Sequence, residues 1–287
     1  MNYAGKILTY LGESDRYSQV LMIAGAPPVE KIGNQFRIVI NVVLTPEEIR
    51  ETLAVFAGHA RRPGSADMGV QGIFAFGIPK QGRFRIHYLT QRGSIFVSIQ
   101  RMPFDVPNLE SLLAQPAQSA LVDGSLAPSG GGFVIITATS PDILTRFIYA
   151  ALARLNETKN IVIYILEHQL SFLLKHRNSI VVQVEVGTDI PTLTEGIRNG
   201  LFLEPDLVYV SNPKTPDEFA GLMCAAQAGS TVLISTIAIN QEHLLSDLKK
   251  RLPDDFPLLR HYIRKTINVS ADPAGMITLK ENKFDPQ

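Results

Sequence analysis

From Gly132 onward, short apolar segments alternate with longer amphipathic ones, and this alternation constrains the fold more than any other feature of the chain. The short segments are nearly continuous runs of apolar and β-branched residues, which is typical of strands buried on both faces. Strands are predicted at 133–137, 161–166, 180–186, 207–210, 231–236, 263–269 and 276–279, and helices at 141–156, 191–203, 216–228 and 241–252. We therefore expect an α/β unit whose sheet is covered by helices on both sides.

The preceding part of the chain has a different pattern and predicts a smaller mixed α/β domain. Segments 19–23 and 36–43 are strand-like. Thr45, Pro46 and Glu48 predict a helix start, because a threonine followed three residues later by a glutamate forms a capping box and proline suits the first helical position.

A hairpin is predicted from segments 82–89 and 94–101, with its turn at 90–93. Two faces alternate along its first strand. The apolar face carries Phe84, Ile86 and Tyr88, and the polar face carries Arg83, Arg85 and His87. One side of this hairpin is therefore expected to face the core and the other to remain accessible.

Prolines and glycines mark a boundary between these two patterns. Pro103, Pro107, Pro116 and Pro128 punctuate the region, which ends in a serine and three glycines at 129–132. We predict an N-terminal domain at 1–105, a linker at 106–131 with one short helix near 109–113, and a second domain at 132–287.

Charge and hydropathy exclude several functional classes. The 27 basic and 27 acidic residues give a formal net charge of zero, which does not favour bulk electrostatic binding to nucleic acid. The N-terminus lacks the pattern of a signal peptide, and no apolar run reaches the ~20 residues of a membrane span. We expect a cytoplasmic protein with no direct membrane span. The single cysteine, Cys224, excludes an intrachain disulfide and is predicted at a buried helix position.

The strand predicted at 133–137 is followed by a helix, and the junction has the length of a phosphate-binding P-loop, G-x-x-x-x-G-K-[ST]. The four specified positions of that motif fall on Ala138, Ile143, Leu144 and Thr145, and only the last of them matches. A P-loop works because glycines allow consecutive backbone N–H groups to converge on the phosphates, assisted by the lysine.

Two further residues in this segment oppose phosphate binding. Pro141 removes an N–H donor, and Asp142 adds a negative charge. A hydrogen bond to a charged group contributes about 1.5–3 kcal/mol, and a like charge at ~4 Å costs about 1–4 kcal/mol. Micromolar binding amounts to only about 8 kcal/mol, so ATP affinity is expected to fall to the millimolar range or weaker. The alternative is an ordinary helix start, with Ser140 as the cap and Pro141 at the first position.

Several short motifs identify a family resemblance. They are S-D at 14–15, A-G-A-P-P at 24–28, G-R-F-R at 82–85, Q-R-G at 91–93, V-V-Q-V-E-V-G at 181–187, E-P-D at 204–206 and S-T-I-A-I-N at 235–240. In order and spacing over residues 10–245, the chain resembles the type IV pilus retraction ATPases, the PilT-type members of the secretion ATPase superfamily.

The resemblance implies an α/β fold in which a PAS-like N-terminal domain precedes a RecA-like P-loop NTPase core. It also implies assembly into rings, which in this family use ATP to depolymerise pili. The C-terminal helical region of the family is expected to be truncated in this chain.

When this sequence is aligned with the family motifs, most of the other catalytic positions also hold different residues. The acidic box falls on 166–172, where Glu167 is retained but His168 and Ser171 replace acidic residues. The Walker B glutamate position holds Asn212, and asparagine cannot act as a general base. The histidine-box position holds Ala238. Only Glu167 remains as a weak catalytic candidate.

The arginines match the family better than the catalytic positions do. Arg83, Arg85, Arg92 and Arg101 correspond to positions that reach the nucleotide of a neighbouring subunit in the family. The alternative is a solvated strand face. No metal site is expected, because the six histidines show no ligand spacing. They are His59, His87, His168, His176, His243 and His261.

These observations leave three functional hypotheses. The first is a pseudo-ATPase that regulates or builds a type IV pilus or related secretion motor, binding no ATP or Mg²⁺ cofactor. Its partners would be copies of itself, an active pilus ATPase paralogue or an inner-membrane platform protein, with peripheral attachment to the inner membrane as one location. The second is an ATPase with an atypical site, using Glu167 and arginines from a neighbouring subunit, that powers pilus retraction and twitching motility. The third is a domain that binds a less anionic ligand in a pocket lined by Ala138, Ile143 and Leu144.

Overall fold

The computed structural model describes residues 1–13, 19–32, 35–60, 69–79, 81–102, 105–128 and 130–284. The motif residues Ser14 and Asp15 and the boundary residues Pro103 and Ser129 lie outside these ranges. The chain divides into two compact units, Met1–Asp105 and Val106–Gln287.

The first unit is a six-stranded antiparallel sheet packed against two helices. The described elements are α1 (Ala4–Gly12), β1 (Gln19–Met22), β2 (Val29–Ile32), β3 (Gln35–Ile38), α2 (Pro46–His59), β4 (Gln71–Ile78), β5 (Gly82–Gln91) and β6 (Ser94–Met102). The sheet order is β3-β2-β1-β6-β5-β4. Apolar side chains of both helices, among them Leu11 and Phe56, are fully buried with sheet residues such as Phe84.

Local sequence signals in this unit are largely confirmed. The capping box of α2 forms as predicted, with Thr45 Oγ1 accepting from the Glu48 N–H and the Glu48 carboxylate accepting from the Thr45 N–H. The strand predicted at 36–43 is wrong beyond Ile38. There the Val42 N–H donates to the carbonyl of Ile40, only two residues earlier, so the chain bends and cannot continue the ladder.

The predicted hairpin is formed by β5 and β6. Gln91 pairs with Ser94 across the turn. Arg92 and Gly93 both have positive φ, 48° and 75°, which are the signs that a two-residue hairpin turn requires. The alternation along β5 is also confirmed, because Phe84 and the other apolar residues of its face are buried.

The second unit is a seven-stranded sheet with helices on both faces. Its described elements are α3 (Leu109–Leu112), α4 (Ser119–Leu126), β7 (Gly132–Ala138), α5 (Pro141–Thr158), β8 (Val162–Glu167), β9 (Ile180–Glu185), α6 (Leu193–Leu201), β10 (Leu207–Ser211), α7 (Pro216–Gln227), β11 (Thr231–Ile237), α8 (Gln241–Arg251), α9 (Phe256–Tyr262), β12 (Ile263–Ala271) and β13 (Ile277–Lys283).

Six neighbouring strands of this sheet are parallel, and only β13 runs antiparallel to its neighbour. The order is β13-β12-β7-β11-β10-β8-β9. Core residues of α3, α4 and α5 pack on one face and those of α6, α7, α8 and α9 on the other. The expectation of a sheet covered on both sides is therefore confirmed, since strands such as β7 are buried at every position.

Helices α3 and α4 lie in the segment that the sequence predicts as a linker. Their residues Leu109 and Leu126 are buried in the same core as α5. Arg154 of α5 holds them by donating from Nε and Nη2 to Asp123 at 2.8 and 2.7 Å and by pairing with Glu110. Much of this segment is thus part of the second unit.

The same segment covers one edge of the sheet. The Ala114 N–H donates to the Ile277 carbonyl at 2.8 Å. The Gln118 side chain bonds to both the N–H and the carbonyl of Leu279, each at 3.3 Å. These contacts satisfy backbone groups of β13 that an open edge strand would leave available for pairing with another chain.

Candidate functional site at the carboxyl edge of the parallel sheet

The structure brings the catalytic-motif positions to one edge of the second unit. Parallel strands end together, and in register Ala138 pairs with Ile237 and Ser211 with Ser235. Glu167 ends β8 in the next position across the sheet. Because ligands of open α/β sheets bind at the carboxyl ends of the strands, this edge is the candidate functional site.

The segment at the P-loop position is a strand end followed directly by a helix. Strand β7 ends at Ala138, only two residues separate it from Pro141, and α5 begins there. The Leu144 N–H donates to the Ser140 carbonyl at 3.1 Å as the first turn of the helix. This amide is therefore committed within the helix in the described conformation.

Both key side-chain positions of this segment are in the protein core. Leu144 is 6% exposed and Ala138 is 1% exposed, and both belong to the cluster beneath α5. Ile143 is half-buried against the same cluster, and Thr145 is also half-buried. In the described conformation, two of the three side chains predicted to line a pocket, Ala138 and Leu144, therefore have little surface exposed.

The helix start itself matches the sequence expectation only in part. Pro141 occupies the first helical position as predicted, but Ser140 makes no side-chain capping bond. Asp142 is largely exposed in the first turn, with Arg146 Nη1 at 4.0 Å from its Oδ2. The negative charge of Asp142 therefore faces solvent, where it suits the helix N-terminus.

Glu167, the retained acidic residue, is 5% exposed and bonded to two tyrosines. Tyr149 of α5 donates to its Oε2, and Tyr209 of β10 donates to its Oε1 at 3.0 Å. The Tyr209 hydroxyl is also 3.0 Å from Ser235 Oγ. These contacts place the carboxylate inside a polar network within the core.

The two tyrosines are held in their protonated form by this environment. Burial, and then the neighbouring Glu167 carboxylate, raise the pKa of Tyr149 and of Tyr209 well above the usual value of 10.0. Neutral phenols remain donors, so the carboxylate keeps both hydrogen bonds over the physiological pH range.

Sequence reasoning missed Tyr149, Tyr209 and Ser235. A signal was available, because Tyr209 interrupts the apolar run of β10 and a buried tyrosine needs a partner for its hydroxyl. The partner itself was not deducible from local pattern, since Glu167 lies 42 residues from Tyr209.

Asn212, at the Walker B position, has a conformation that few residues adopt. Its φ is +49°, in the left-handed region that asparagine tolerates better than most side chains. Its N–H donates to the Ser235 carbonyl at 2.7 Å, and its Oδ1 accepts from Thr236 Oγ1 at 3.1 Å. Asn212 therefore joins the ends of β10 and β11.

Ala238, at the histidine-box position, is 2% exposed and lies against the first P-loop position. Its N–H donates to the Ala138 carbonyl at 3.1 Å. This bond extends the pairing of β7 and β11 by one residue beyond their last register pair.

The four arginines lie in the first unit, three of them near one end of the β5–β6 hairpin and Arg92 at the other end. Arg83 and Arg101 are near the open end of the β5–β6 hairpin, where Phe84 pairs with Arg101. Arg101 Nε donates to the Gln81 carbonyl at 2.8 Å. Arg92 lies at the opposite tip, about 30 Å along the strand from Arg83 at ~3.3 Å per residue. Arg83 and Arg85 share the outer face of β5 and are half-buried, whereas Arg92 is exposed.

Metal-ligand geometry is absent from the part of the chain that the structure describes. No group of three or more His, Cys, Asp or Glu side chains there is arranged to hold a metal ion. Two histidines instead bond to backbone, with His176 Nδ1 accepting from the Val181 N–H at 3.2 Å and His243 Nδ1 from the Ile239 N–H at 3.4 Å.

The prediction that Cys224 is buried is wrong. Its residue is exposed on α7, although the neighbouring Met223 and Ala225 are buried. The helical period explains the difference, because Cys224 shares a solvent-facing stripe with Ala220 and Gln227. In addition, no described helix has the length and hydropathy that a membrane crossing requires.

Comparison with known proteins extends the motif evidence. The chain is 25% identical over 244 residues to the type IV pilus ATPase PilU of Pseudomonas aeruginosa, covering 85% of this chain and 61% of that protein. It is 22% identical over 215 residues to the type IV pilus retraction ATPase PilT of the same organism, covering 75% of this chain and 61% of that protein. The chain thus spans about three fifths of the length of these relatives. No protein-family model matches it.

The fold comparison covers nearly the whole chain. A crystal structure of the pilus retraction motor PilT with bound ADP matches with a TM-score of 0.80 at 22% identity, over 99% of this chain and 82% of that chain. The mixed α/β architecture is therefore that of a RecA-type ATPase. Together the sequence and fold matches confirm the resemblance to the type IV pilus retraction ATPases.

Proposed function

We propose that this relative of the type IV pilus retraction ATPases is a pseudo-ATPase that acts as a regulatory or structural subunit of a type IV pilus or related secretion motor. The proposal rests on the carboxyl edge of the second unit. There the fold resembles that of an ATPase, but the residues at the catalytic positions pack in the core or bond to neighbouring strands. The identity of the motor and the role in it are both part of the proposal.

The burial of Leu144 carries the proposal. A phosphate-binding lysine must extend toward solvent and ligand, whereas Leu144 is 6% exposed and packs beneath α5. Its N–H is used within the helix, and Pro141 supplies no N–H. These features favour a helix start over a phosphate-binding loop, because convergent free N–H groups are what such a loop supplies.

The remaining catalytic positions support the same function. Glu167 accepts two buried tyrosine hydrogen bonds, which leaves it poorly placed to activate a water molecule. Asn212 has no basic group, and its amide oxygen is occupied by Thr236. The alternative of an atypical ATPase depends on Glu167, and its burial weakens that alternative.

A role with partners is supported by the outer face of the β5–β6 hairpin. Arg83 and Arg85 are neighbours on that face, because they are two positions apart in β5 and strand side chains alternate between faces. In an assembly of like units, this face of the hairpin would bring two cationic side chains toward a neighbouring subunit. We propose homo- or hetero-oligomers, with an active pilus ATPase or an inner-membrane platform protein as the partner, in the cytoplasm or at the membrane surface.

Calorimetric titration of the purified chain with MgATP and MgADP tests the proposal. We expect no binding up to millimolar nucleotide, while an active retraction ATPase measured in parallel binds. Micromolar binding by this chain, with Mg²⁺-dependent turnover that Glu167→Gln abolishes, would establish the atypical ATPase instead.

A second experiment tests the partner role. Co-expression with an active retraction ATPase should give mixed assemblies that co-purify. In these assemblies this chain should raise the ATPase rate of the active partner, and changing both Arg83 and Arg85 to Gln should abolish that increase. Failure to associate with any pilus-motor component would contradict the regulatory role even if nucleotide binding is absent.

A further inference from the structure

A row of polar residues crosses the second unit at one register level near the carboxyl edge. Thr236 of β11 pairs with Thr137 of β7, which pairs with Asn268 of β12, which pairs with Lys280 of β13. Asn268 Nδ2 donates to Thr137 Oγ1 at 3.1 Å. The row lies on the face opposite α5, because the adjacent Val269 and Leu279 belong to the core beneath α5 and strand residues alternate between faces.

The row ends in a cleft that separates β12 and β13 from the start of α8. The cleft has a volume of about 390 Å³, which lies within the ~300–1,000 Å³ typical of small-molecule sites. It is lined by residues 239–242 together with Asn268, Lys280 and Asn282. The lining is dominated by amide side chains, with one ammonium group and one carboxylate.

A buried hydroxyl lies on the same strand face as Asn268, one of the residues that line the cleft. Thr266 is 2% exposed, and no residue in the described ranges accepts from or donates to its Oγ1. It lies two residues from Asn268 on the same face and pairs across the ladder with Asn282. A buried hydroxyl is normally satisfied by protein, water or ligand, so Thr266 Oγ1 is an unsatisfied polar atom on the strand that lines the cleft.

We propose that this cleft binds a small hydroxylated monocarboxylate, the chemical class of the sugar acids. Lys280 provides a single positive charge for a carboxylate. Asn268, Asn282 and Gln241 line the remainder, and amide groups both donate and accept, as hydroxyl groups do. Glu242 stands on the same cleft and disfavours a ligand with additional negative charge.

This site is distinct from the phosphate-binding position. Ala138 and Leu144 belong to the core on the α5 side, whereas the cleft opens on the other face of the sheet beside α8. The inference therefore does not depend on whether the chain binds ATP.

Calorimetry and saturation-transfer NMR on the full chain test the proposal with three probes: D-galacturonate, the neutral sugar D-galactose, and acetate. We expect saturable binding of galacturonate in the millimolar range or tighter, and no saturation by either of the other two. Lys280→Gln should weaken galacturonate binding about tenfold or more, because a charged hydrogen bond is lost. Glu242→Gln should strengthen it.

Lys175→Gln is the matched control, because Lys175 is also exposed but lies on the loop between β8 and β9, away from the cleft. It should leave galacturonate affinity unchanged, and circular dichroism and thermal midpoints should confirm that each variant is folded. The proposal is overturned if galacturonate does not bind, if acetate or galactose binds equally well, or if Lys280→Gln and Lys175→Gln behave alike.

Discussion

The hydroxyl of Tyr209 donates a 3.0 Å hydrogen bond to Oε1 of Glu167, joining two neighbouring parallel strands inside the core of the second unit. Tyr149 reaches the other carboxylate oxygen from α5. Glu167 is the acidic residue that the family resemblance marks as retained. The structure encloses it between two tyrosines of the core. Its buried carboxyl group accepts hydrogen bonds from both tyrosine hydroxyls, and removing a donor would leave a buried acceptor without that partner.

Changing Tyr209 to Phe is expected to destabilise the protein by about 1–3 kcal/mol, because a buried carboxylate loses one of its hydrogen-bond donors. Urea unfolding at neutral pH measures the loss. Tyr88→Phe is a matched control, since Tyr88 is also buried in the apolar core of its unit, and it should cost less than about 0.5 kcal/mol. Equal effects of the two changes would contradict the role assigned to Tyr209.

Alkaline pH is expected to reduce the stability that Tyr209 contributes. Burial and Glu167 raise its folded-state pKa above 10.0. Above pH ~10 the unfolded chain therefore loses this proton while the folded chain keeps it, and the free energy of unfolding falls by up to ~1.4 kcal/mol per pH unit. The difference in unfolding free energy between wild type and Tyr209→Phe should be constant from pH 7 to pH 9 and shrink above pH 10. A difference that grows above pH 10 would reverse the assigned sign.

Restoring the P-loop lysine by Leu144→Lys is expected to destabilise the fold by about 3 kcal/mol or more without creating nucleotide binding. The cause is the burial of an ammonium group among apolar side chains. Leu144→Met conserves volume and should cost less than about 1.5 kcal/mol. Thermal unfolding and MgATP calorimetry provide the measurements. A stable Leu144→Lys variant that binds ATP would show that the position faces a functional site.

Asn212 is expected to respond to substitution through its backbone as well as its side chain. Asn212→Ala loses the bond from Thr236 and places an alanine at φ +49°, whereas Asn212→Gly loses only the bond. The glycine variant should therefore be more stable than the alanine variant by about 1 kcal/mol. Chemical denaturation of both variants measures this difference, and the reverse order would contradict the left-handed conformation.

Cys224 is expected to react with a thiol reagent such as DTNB in the native protein, because its residue is exposed on α7. About one equivalent should be labelled without denaturant. Cys224→Ser, the control, should abolish labelling and leave the thermal midpoint nearly unchanged, since an exposed position contributes little packing. Labelling that requires unfolding would instead support the buried position that the sequence pattern suggested.

The sequence by itself determined the alternation of strands and helices in the second unit and the covering of its sheet on both faces, although it did not show α4 or α9. The capping box at Thr45 and the apolar strands from β7 to β11 were predictable, because each depends on residues within one turn or on a simple apolar pattern. The family motifs also identified the sequence positions at which a nucleotide site would be expected. These are short-range properties, so a single sequence is sufficient to show them.

Only the tertiary structure decided what those positions contact. Leu144 faces the core, and Glu167 is enclosed by Tyr149 and Tyr209. The burial of α3 and α4 was decided in the same way, by their packing against α5. Each outcome depends on pairing between residues distant in sequence, as between Tyr209 and Glu167, which lie 42 positions apart. Local pattern does not encode such pairings, because packing of whole elements fixes them.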